Sequence, residues 1–245
     1  MRVLILAGSA EARELGQLID PRRHEVTLSF AGLTEAPAPH AGRRRIGGFG
    51  GADGLARHLA TEGIDALIDA THPFAAGISA NAVAAARRAG VPLLRLSRAE
   101  WPWRPGWERA ASLAEAAAMI APAARVFLTT GRRSFPAFAA RQDVFFLARA
   151  AEAGANPFAR GEVVTGLPPF SEESERALID RWRLDTLVTR NSGGPAAKLD
   201  AAGALGLRVI VIARPELPAA REVHSVEEAL GWLDALEAPA ARPMR

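Results

Sequence analysis

The stretch DTLVTRNSGGPAAKLDAAGALGLRVIVIA, residues 185–213, decides the fold. It opens on a short apolar run, breaks at a turn rich in Gly and hydroxyls, continues as an Ala-rich helical segment, and closes on Val209-Ile210-Val211-Ile212. A continuous run of β-branched residues is the pattern of a parallel strand buried on both faces. Strand, helix, strand in this order is a βαβ unit. A second copy of the layout lies roughly half a chain earlier. Asp65-Ala66-Leu67-Ile68 runs into Thr71, then a helix, then Ala89-Gly90-Val91 and a strand ending at Arg98, much as the later unit ends at Arg214. Duplication explains the match, and so does coincidence in an Ala-rich chain; both stay open.

The same alternation covers nearly all of the 245 residues. Strands are predicted over 2–6, 25–30, 66–70, 92–96, 125–129, 144–148, 186–189 and 208–213, and helices over 10–19, 52–62, 77–89, 113–120, 172–183, 196–205 and 226–236. The class that follows is α/β, with parallel sheets and two halves of the chain. The halves are placed at 1–100 and 101–238. Residues 98–108, with three Trp and two Pro, read as a linker packed at a domain junction, and 239–245 as a disordered tail.

Composition narrows the classes. Hydrophobic residues make up 49% of the chain and charged ones 23%, ordinary for a folded protein. No apolar run approaches the ~18 residues of a membrane span. Residues 1–10 look briefly like a secretion signal, but the apolar core is too short and an amphipathic segment follows directly. A soluble, cytoplasmic protein is expected, with no membrane partner. Cys is absent, which excludes disulfides, thiolate metal sites and a Cys nucleophile. The sequence pI of about 10.6 invites a nucleic-acid reading, yet the net charge is only +3. Lys198 is the single lysine and Tyr is missing, so almost nothing titrates between about pH 8 and 12 and a small positive charge persists. Only Arg43-Arg44-Arg45 forms a basic cluster, and it reads as a solvated loop; no nucleic-acid partner is expected.

In a doubly wound sheet, ligands sit where loops leave the carboxyl ends of strands. Four such turns are unusual. Ala7-Gly8-Ser9 allows a tight turn at Gly8 and a helix cap at Ser9, leaving amides for an anion, so both are assigned to cofactor; Arg13 in the same helix is assigned to substrate. The following strand ends Ser29-Phe30-Ala31-Gly32 with no acid before Glu35, so if a nucleotide binds at this turn the phosphorylated cofactor is favoured. The second turn, Asp69-Ala70-Thr71-His72-Pro73, leads into Ser79; a His-Pro pair is extended, which turns His72 toward the pocket. Thr71, His72 and Ser79 are assigned to substrate, and no three-ligand cluster surrounds His72, so no metal is expected. The third and fourth turns, Thr129-Thr130-Gly131-Arg132 and Thr189-Arg190-Asn191-Ser192-Gly193-Gly194, combine hydroxyls, Gly and Arg beside helix ends. That set suits pyrophosphate, so Thr130, Gly131, Arg132 and the run from Thr189 through Arg190, Asn191, Ser192 and Gly193 are assigned to cofactor. Lys198 follows within the next helix and is assigned to substrate, as is Arg98. No GxxxxGK[ST] loop and no GxSxG elbow exist, which disfavours nucleotide hydrolysis and an α/β-hydrolase.

Taken together, LAGSAEAR (6–13), DATHPFAAGISANA (69–82), LLRLSRAEW (93–101), LTTGR (128–132) and VTRNSGGPAAKLDAAGALGLRVIVIARP (188–215) resemble the precorrin-6A reductase family of cobalamin biosynthesis. They run in order along nearly the whole chain. The family's opening turn usually reads Gly-Gly-Thr, where this chain has Ala7-Gly8-Ser9; Ser keeps the hydroxyl and Gly8 keeps the turn.

The resemblance implies two Rossmann-like parallel-sheet halves with a ligand cleft between them, and NADPH-dependent reduction of one double bond of precorrin-6A, a tetrapyrrole, to give precorrin-6B, with no protein-bound metal, flavin or ATP. It leaves open the metal-free or cobalt-containing substrate, the proton donor and the catalytic residue, and other enzymes of the pathway are candidate partners. An Arg-rich chain suits a substrate bearing many carboxylates. Two alternatives stand beside it: a non-catalytic NADP(H)-binding regulator, and a nucleotide-free two-domain tetrapyrrole enzyme.

Overall fold

The computed structural model describes residues 1–32 and 42–237. The chain forms two units, Met1–Ala99 with Pro215–Arg245, and Glu100–Arg214. In the first unit β1 (Arg2–Ala7), α1 (Ala10–Leu18), β2 (Glu25–Phe30), β3 (Arg43–Ile46), α2 (Gly51–Thr61), β4 (Ala66–Ala70), α3 (Ala76–Ala89) and β5 (Leu93–Leu96) follow one another. The second unit runs β6 (Trp107–Ala110), α4 (Leu113–Met119), β7 (Arg125–Leu128), a 3-10 turn at Arg132–Ser134, α5 (Pro136–Ala139), β8 (Phe145–Ala150), β9 (Gly161–Thr165), α6 (Glu172–Trp182), β10 (Thr186–Arg190), α7 (Ala197–Ala204) and β11 (Arg208–Ile212). The chain then returns to the first unit through β12 (Arg221–Val223) and α8 (Val226–Glu237).

Each unit holds one six-stranded sheet, ordered β12-β5-β4-β1-β2-β3 and β6-β11-β10-β7-β8-β9, with every pairing parallel. Leaving aside the first strand of each list, the two sheets repeat the same order. The sixth strands are exchanged. β6 follows β5 in the chain but pairs with β11, and β12 follows β11 but pairs with β5.

Local sequence explains the elements. Ser9, Ser112 and Ser171 cap α1, α4 and α6 by accepting from backbone amides. Ser225 and Glu228 form a reciprocal capping box at the start of α8. Gly90 ends α3 in the left-handed region at φ 66°. β1 is buried from Val3 to Ala7, because helices cover both faces of a parallel sheet. Val3 and Ile5 pack with Leu15 of α1 and Trp232 of α8, while Leu4 and Leu6 pack with Leu55 and Leu59 of α2 and Ala82 of α3. In the second unit Phe127, Leu187, Val209 and Leu199 share a core.

Three expectations are corrected. Arg43-Arg44-Arg45 is not a loop but most of β3, an outer strand pairing on one side only; charged side chains are a common protection for such an edge and hide the strand pattern. The stretch 98–108 does not end as a linker, because Trp107 and Glu108 begin β6. Residues 101–238 are not one continuous half: β12 and α8 belong to the first sheet and its core. The tail 239–245, for which disorder was expected, lies outside the described residues. Among those residues no helix is long and apolar enough to cross a membrane.

Trp232 is 5% exposed and joins α8 to the sheet core of the first unit. Trp232→Ala is expected to cost about 3–5 kcal/mol. Hydrogen exchange should show the loss in β1 and α1, with β7 and β10 still protected.

Candidate functional site

In each sheet the chain first builds outward on one side and then returns to build on the other. The reversal lies between β1 and β4 in the first sheet and between β7 and β10 in the second. Loops leaving two such strands part in opposite directions and open a crevice at their carboxyl ends. The four turns singled out in the sequence are the four turns at these two reversals. The topology thus pairs Gly8 and Ser9 with Thr71 and His72, and Thr130 to Arg132 with Arg190 to Gly193.

In the first unit the two turns touch. A Cβ on Gly8 would lie 3.2 Å from the His72 backbone nitrogen and 3.3 Å from the Thr71 Cα, so a side chain there has no ordinary space. Ser9 Oγ accepts from the Ala12 amide at 3.1 Å and donates to the Ala70 carbonyl at 2.9 Å. One hydroxyl therefore caps α1 and fastens it to the end of β4. Beyond β4, the Thr71 hydroxyl donates to Asp69 Oδ1 at 2.7 Å and lies 3.4 Å from the Ser79 hydroxyl of α3. The Thr71 amide also donates to Asp69, at 3.2 Å. Ser79 is 3% exposed, so it supports Thr71 from behind and has little surface for a ligand. His72 Nδ1 accepts from the Phe74 amide at 3.2 Å, which leaves the neutral ring its proton on Nε2. Arg13 is exposed on α1. Arg98 pairs with Glu11 in the first turn of α1, Nε to Oε1 at 3.3 Å.

In the second unit the polar groups turn inward. The Thr130 hydroxyl is buried, 2.6 Å from Ser134 Oγ, which donates to the Gly131 carbonyl. Gly131 has φ 83°, which a side chain rarely adopts. Arg132, assigned from sequence to cofactor, donates to the carbonyls of Glu152 and Ala155 at 2.8 and 2.9 Å and thereby holds the loop after β8. Asn191, likewise assigned, is fully buried; it accepts from the Trp101 amide at 2.9 Å and donates to Glu100 at 3.0 Å. Trp101 Nε1 donates to the Gly194 carbonyl at 2.6 Å, and Lys198 Nζ sits 4.9 Å from the Trp101 ring centre. Thr189 is buried at the end of β10. Ser192 is half-buried, and Gly193 and Gly194 have φ of 70° and 77°. Burial pushes the Arg190 guanidinium below its usual value, and it stays a cation at neutral pH.

Two buried charged residues beside the first reversal were not assigned from sequence. Asp69 interrupts Ala66-Leu67-Ile68 and Arg95 interrupts Leu93-Leu94 and Leu96. A charge inside a buried strand is the signal that finds them. Among the described residues no group of three or more His, Asp or Glu is placed to hold a metal ion.

The model of the family described as "Precorrin-6x reductase CbiJ/CobK" matches residues 2–234. A precorrin-6A reductase of Rhodococcus erythropolis is 47% identical over 96% of this chain and 98% of its own length. One from Mycobacterium tuberculosis is 46% identical, over 96% and 98%. A cobalt-precorrin-6A reductase of Priestia megaterium is 29% identical over 92% of this chain and 95% of the relative. Among solved structures, one titled CobK precorrin-6A reductase superposes with a TM-score of 0.88 at 37% identity, covering 97% of this chain and 98% of the other.

Two substitutions separate the roles of these turns. Ser9→Ala removes the cap of α1 and its tie to the end of β4 and is expected to cost about 1 kcal/mol. Asn191→Ala strands the buried Trp101 amide, a loss of about 1–3 kcal/mol. Both are read from denaturant midpoints at unchanged slope.

Proposed function

The chain belongs to the precorrin-6x reductase family and is an oxidoreductase of cobalamin biosynthesis, and from that premise we propose that it draws its hydride from NADPH and acts on metal-free precorrin-6A in the cytoplasm. The preference for the metal-free ring rests on the relatives: those named for it share 39–47% identity, against 29–31% for those named for the cobalt complex. Other pathway enzymes remain proposed partners, and nucleic acid and membrane are not among them.

The single observation that carries the cofactor assignment is the close contact of Gly8 with the Thr71-His72 backbone beside a Ser9-capped helix. This bare backbone edge beside a helix N-terminus is the setting in which pyrophosphate is held by amides. The end of β2 fits the phosphorylated form. It carries no acid at Phe30 to Gly32, and on the neighbouring strand Arg44 lies 5.9 Å from the Phe30 ring centre while Arg45 is tied to the carbonyls of Gly47 and Gly48. Gly8 and Ser9 would hold pyrophosphate, and Arg44 the ribose phosphate. In the second unit, where Arg132 and Asn191 are spent on the protein, Arg190, Ser192, Lys198 and the backbone of Gly193 are suited to substrate carboxylates; in the first unit, taken by itself, Arg13 and Arg98 offer guanidinium groups of the same kind. Thr189, Thr130 and Gly131 shape those turns from below.

Bound NADPH would supply a hydride to one carbon of the conjugated ring. The residues of this chain bind and orient; the neighbouring carbon takes its proton from water or a substrate carboxyl. His72 shapes the pocket. Its Nδ1 is an acceptor for the turn, a role that an Asn side chain can take over.

NADPH should bind at least tenfold tighter than NADH, about 1.4 kcal/mol, and Arg44→Ala should erase most of that margin. Fluorescence titration of both cofactors, followed by assay with precorrin-6A, tests the reading. Equal affinities remove NADPH specificity, absence of binding favours a nucleotide-free enzyme, and binding without turnover favours a regulator. Gly8→Ala should weaken NADPH binding more than Gly193→Ala; the reverse order moves the cofactor to the second unit. His72→Asn is expected to keep at least about a tenth of kcat with the same pH dependence between about pH 6 and 8, because only a general acid would take an ionisation with it.

A further inference from the structure

Asp69, Arg95 and Glu222 are register partners on β4, β5 and β12, so three adjacent parallel strands carry a negative, positive, negative row near their carboxyl ends. Asp69 is 2% and Arg95 6% exposed. Arg95 Nε stands 3.8 Å from Asp69 Oδ2, its Nη1 lies 3.6 Å from Glu222, and its Nη2 donates to the Pro218 carbonyl at 3.0 Å. The other Asp69 oxygen takes the amide and the hydroxyl of Thr71.

The second sheet shows that the fold does not require this row. β10, β11 and β6 occupy the same places in the repeated strand order, and their corresponding partners are Thr189, Val211 and Arg109. A buried carboxylate and guanidinium lose hydration that their attraction need not recover, and apolar replacements of such pairs are often neutral or stabilising. The pair at Asp69 and Arg95 is therefore poorly explained by stability.

Its geometry has another consequence. A carboxylate only accepts hydrogen bonds, so the Thr71 proton is committed to Asp69 and the Thr71 oxygen must accept from Ser79. The amide and hydroxyl of Thr71 are both fixed by Asp69 Oδ1, while the Arg95 guanidinium faces the other oxygen, Oδ2, as an ion-pair partner at 3.8 Å. We propose that Asp69 and Arg95 are positioning residues for the reduction: they set the Thr71-His72 turn at the first reversal, and Glu222 and Pro218 tie that setting to the returning carboxyl-terminal segment. The proposal rests on the reading that this turn belongs to the reaction site.

The test exchanges the pair for the one found in the second sheet, Asp69→Thr with Arg95→Val. Melting temperature, cofactor affinity, kcat and KM are measured with whichever nicotinamide cofactor the wild type turns over, so a failed NADPH assignment would not obscure the result. The double variant should melt within a few degrees of wild type or above it, while kcat/KM falls about a hundredfold, the scale of a misplaced site group. Thr71→Val, which leaves the buried pair in place, should lower kcat/KM at least about tenfold, and adding it to the double variant should cost little more because the same link is already broken. The proposal is overturned if the double variant keeps more than half of wild-type kcat/KM. It is equally overturned if Thr71→Val is as active as wild type, and that variant decides alone should the double variant fail to fold.

Discussion

Gly8 has no side chain, and the backbone of Thr71 and His72 comes so close that a Cβ would lie only 3.2–3.3 Å from it. The proposed cofactor site of the first unit rests on that contact. It brings the end of β1 against the end of β4, and Ser9 secures the approach by bonding the Ala70 carbonyl while capping α1. A crevice at a sheet reversal can be wide or narrow; here the missing Cβ makes it a backbone edge with a helix start beside it. Groups that bind anions through amides need such an edge, because a side chain would hold the ligand off.

The second unit reaches a similar outline by different means. There the Thr129 hydroxyl donates to the Val188 carbonyl of β10 at 3.3 Å, but it caps no helix. Instead Asn191 is buried and clamps Trp101, and Trp101 in turn bonds the Gly194 carbonyl. The indole also offers its face to Lys198. Arg214 adds a bond to the Asn191 carbonyl at 2.9 Å. The turn after β10 is thus held from within its own unit by the segment that enters β6. Two sheets with one strand order have been given unlike turn chemistry, as expected if they meet different parts of a reaction.

The exchange of sixth strands bears on both. β6 and α4 are completed by the second sheet, and β12 and α8 by the first. The first sheet is therefore built from two separate segments, whereas the second comes from the single stretch Glu100–Arg214. Trp232 of α8 helps to close the core under β1, so the strand that leads into Gly8 rests on residues more than two hundred positions away.

The sequence by itself determined the strands that are continuous apolar runs, the helices with Ser caps and Gly ends, and the four turns that carry Gly and hydroxyls. These are local properties: burial on both faces selects β-branched runs, and capping selects Ser at a helix start. It also carried the family, through segments such as DATHPFAAGISANA and VTRNSGGPAAKLDAAG that run in order along the chain. The tertiary structure alone decided which turns face one another, since strand order is set by long-range pairing that leaves no local mark. It showed Arg43-Arg44-Arg45 as an edge strand, where one-sided pairing frees the residues from apolar alternation. It returned β12 and α8 to the first unit, and it revealed that Arg132 and Asn191 spend their polar groups on the protein. Residue type tells what a side chain can bond; only the packed chain tells which partner reaches it first.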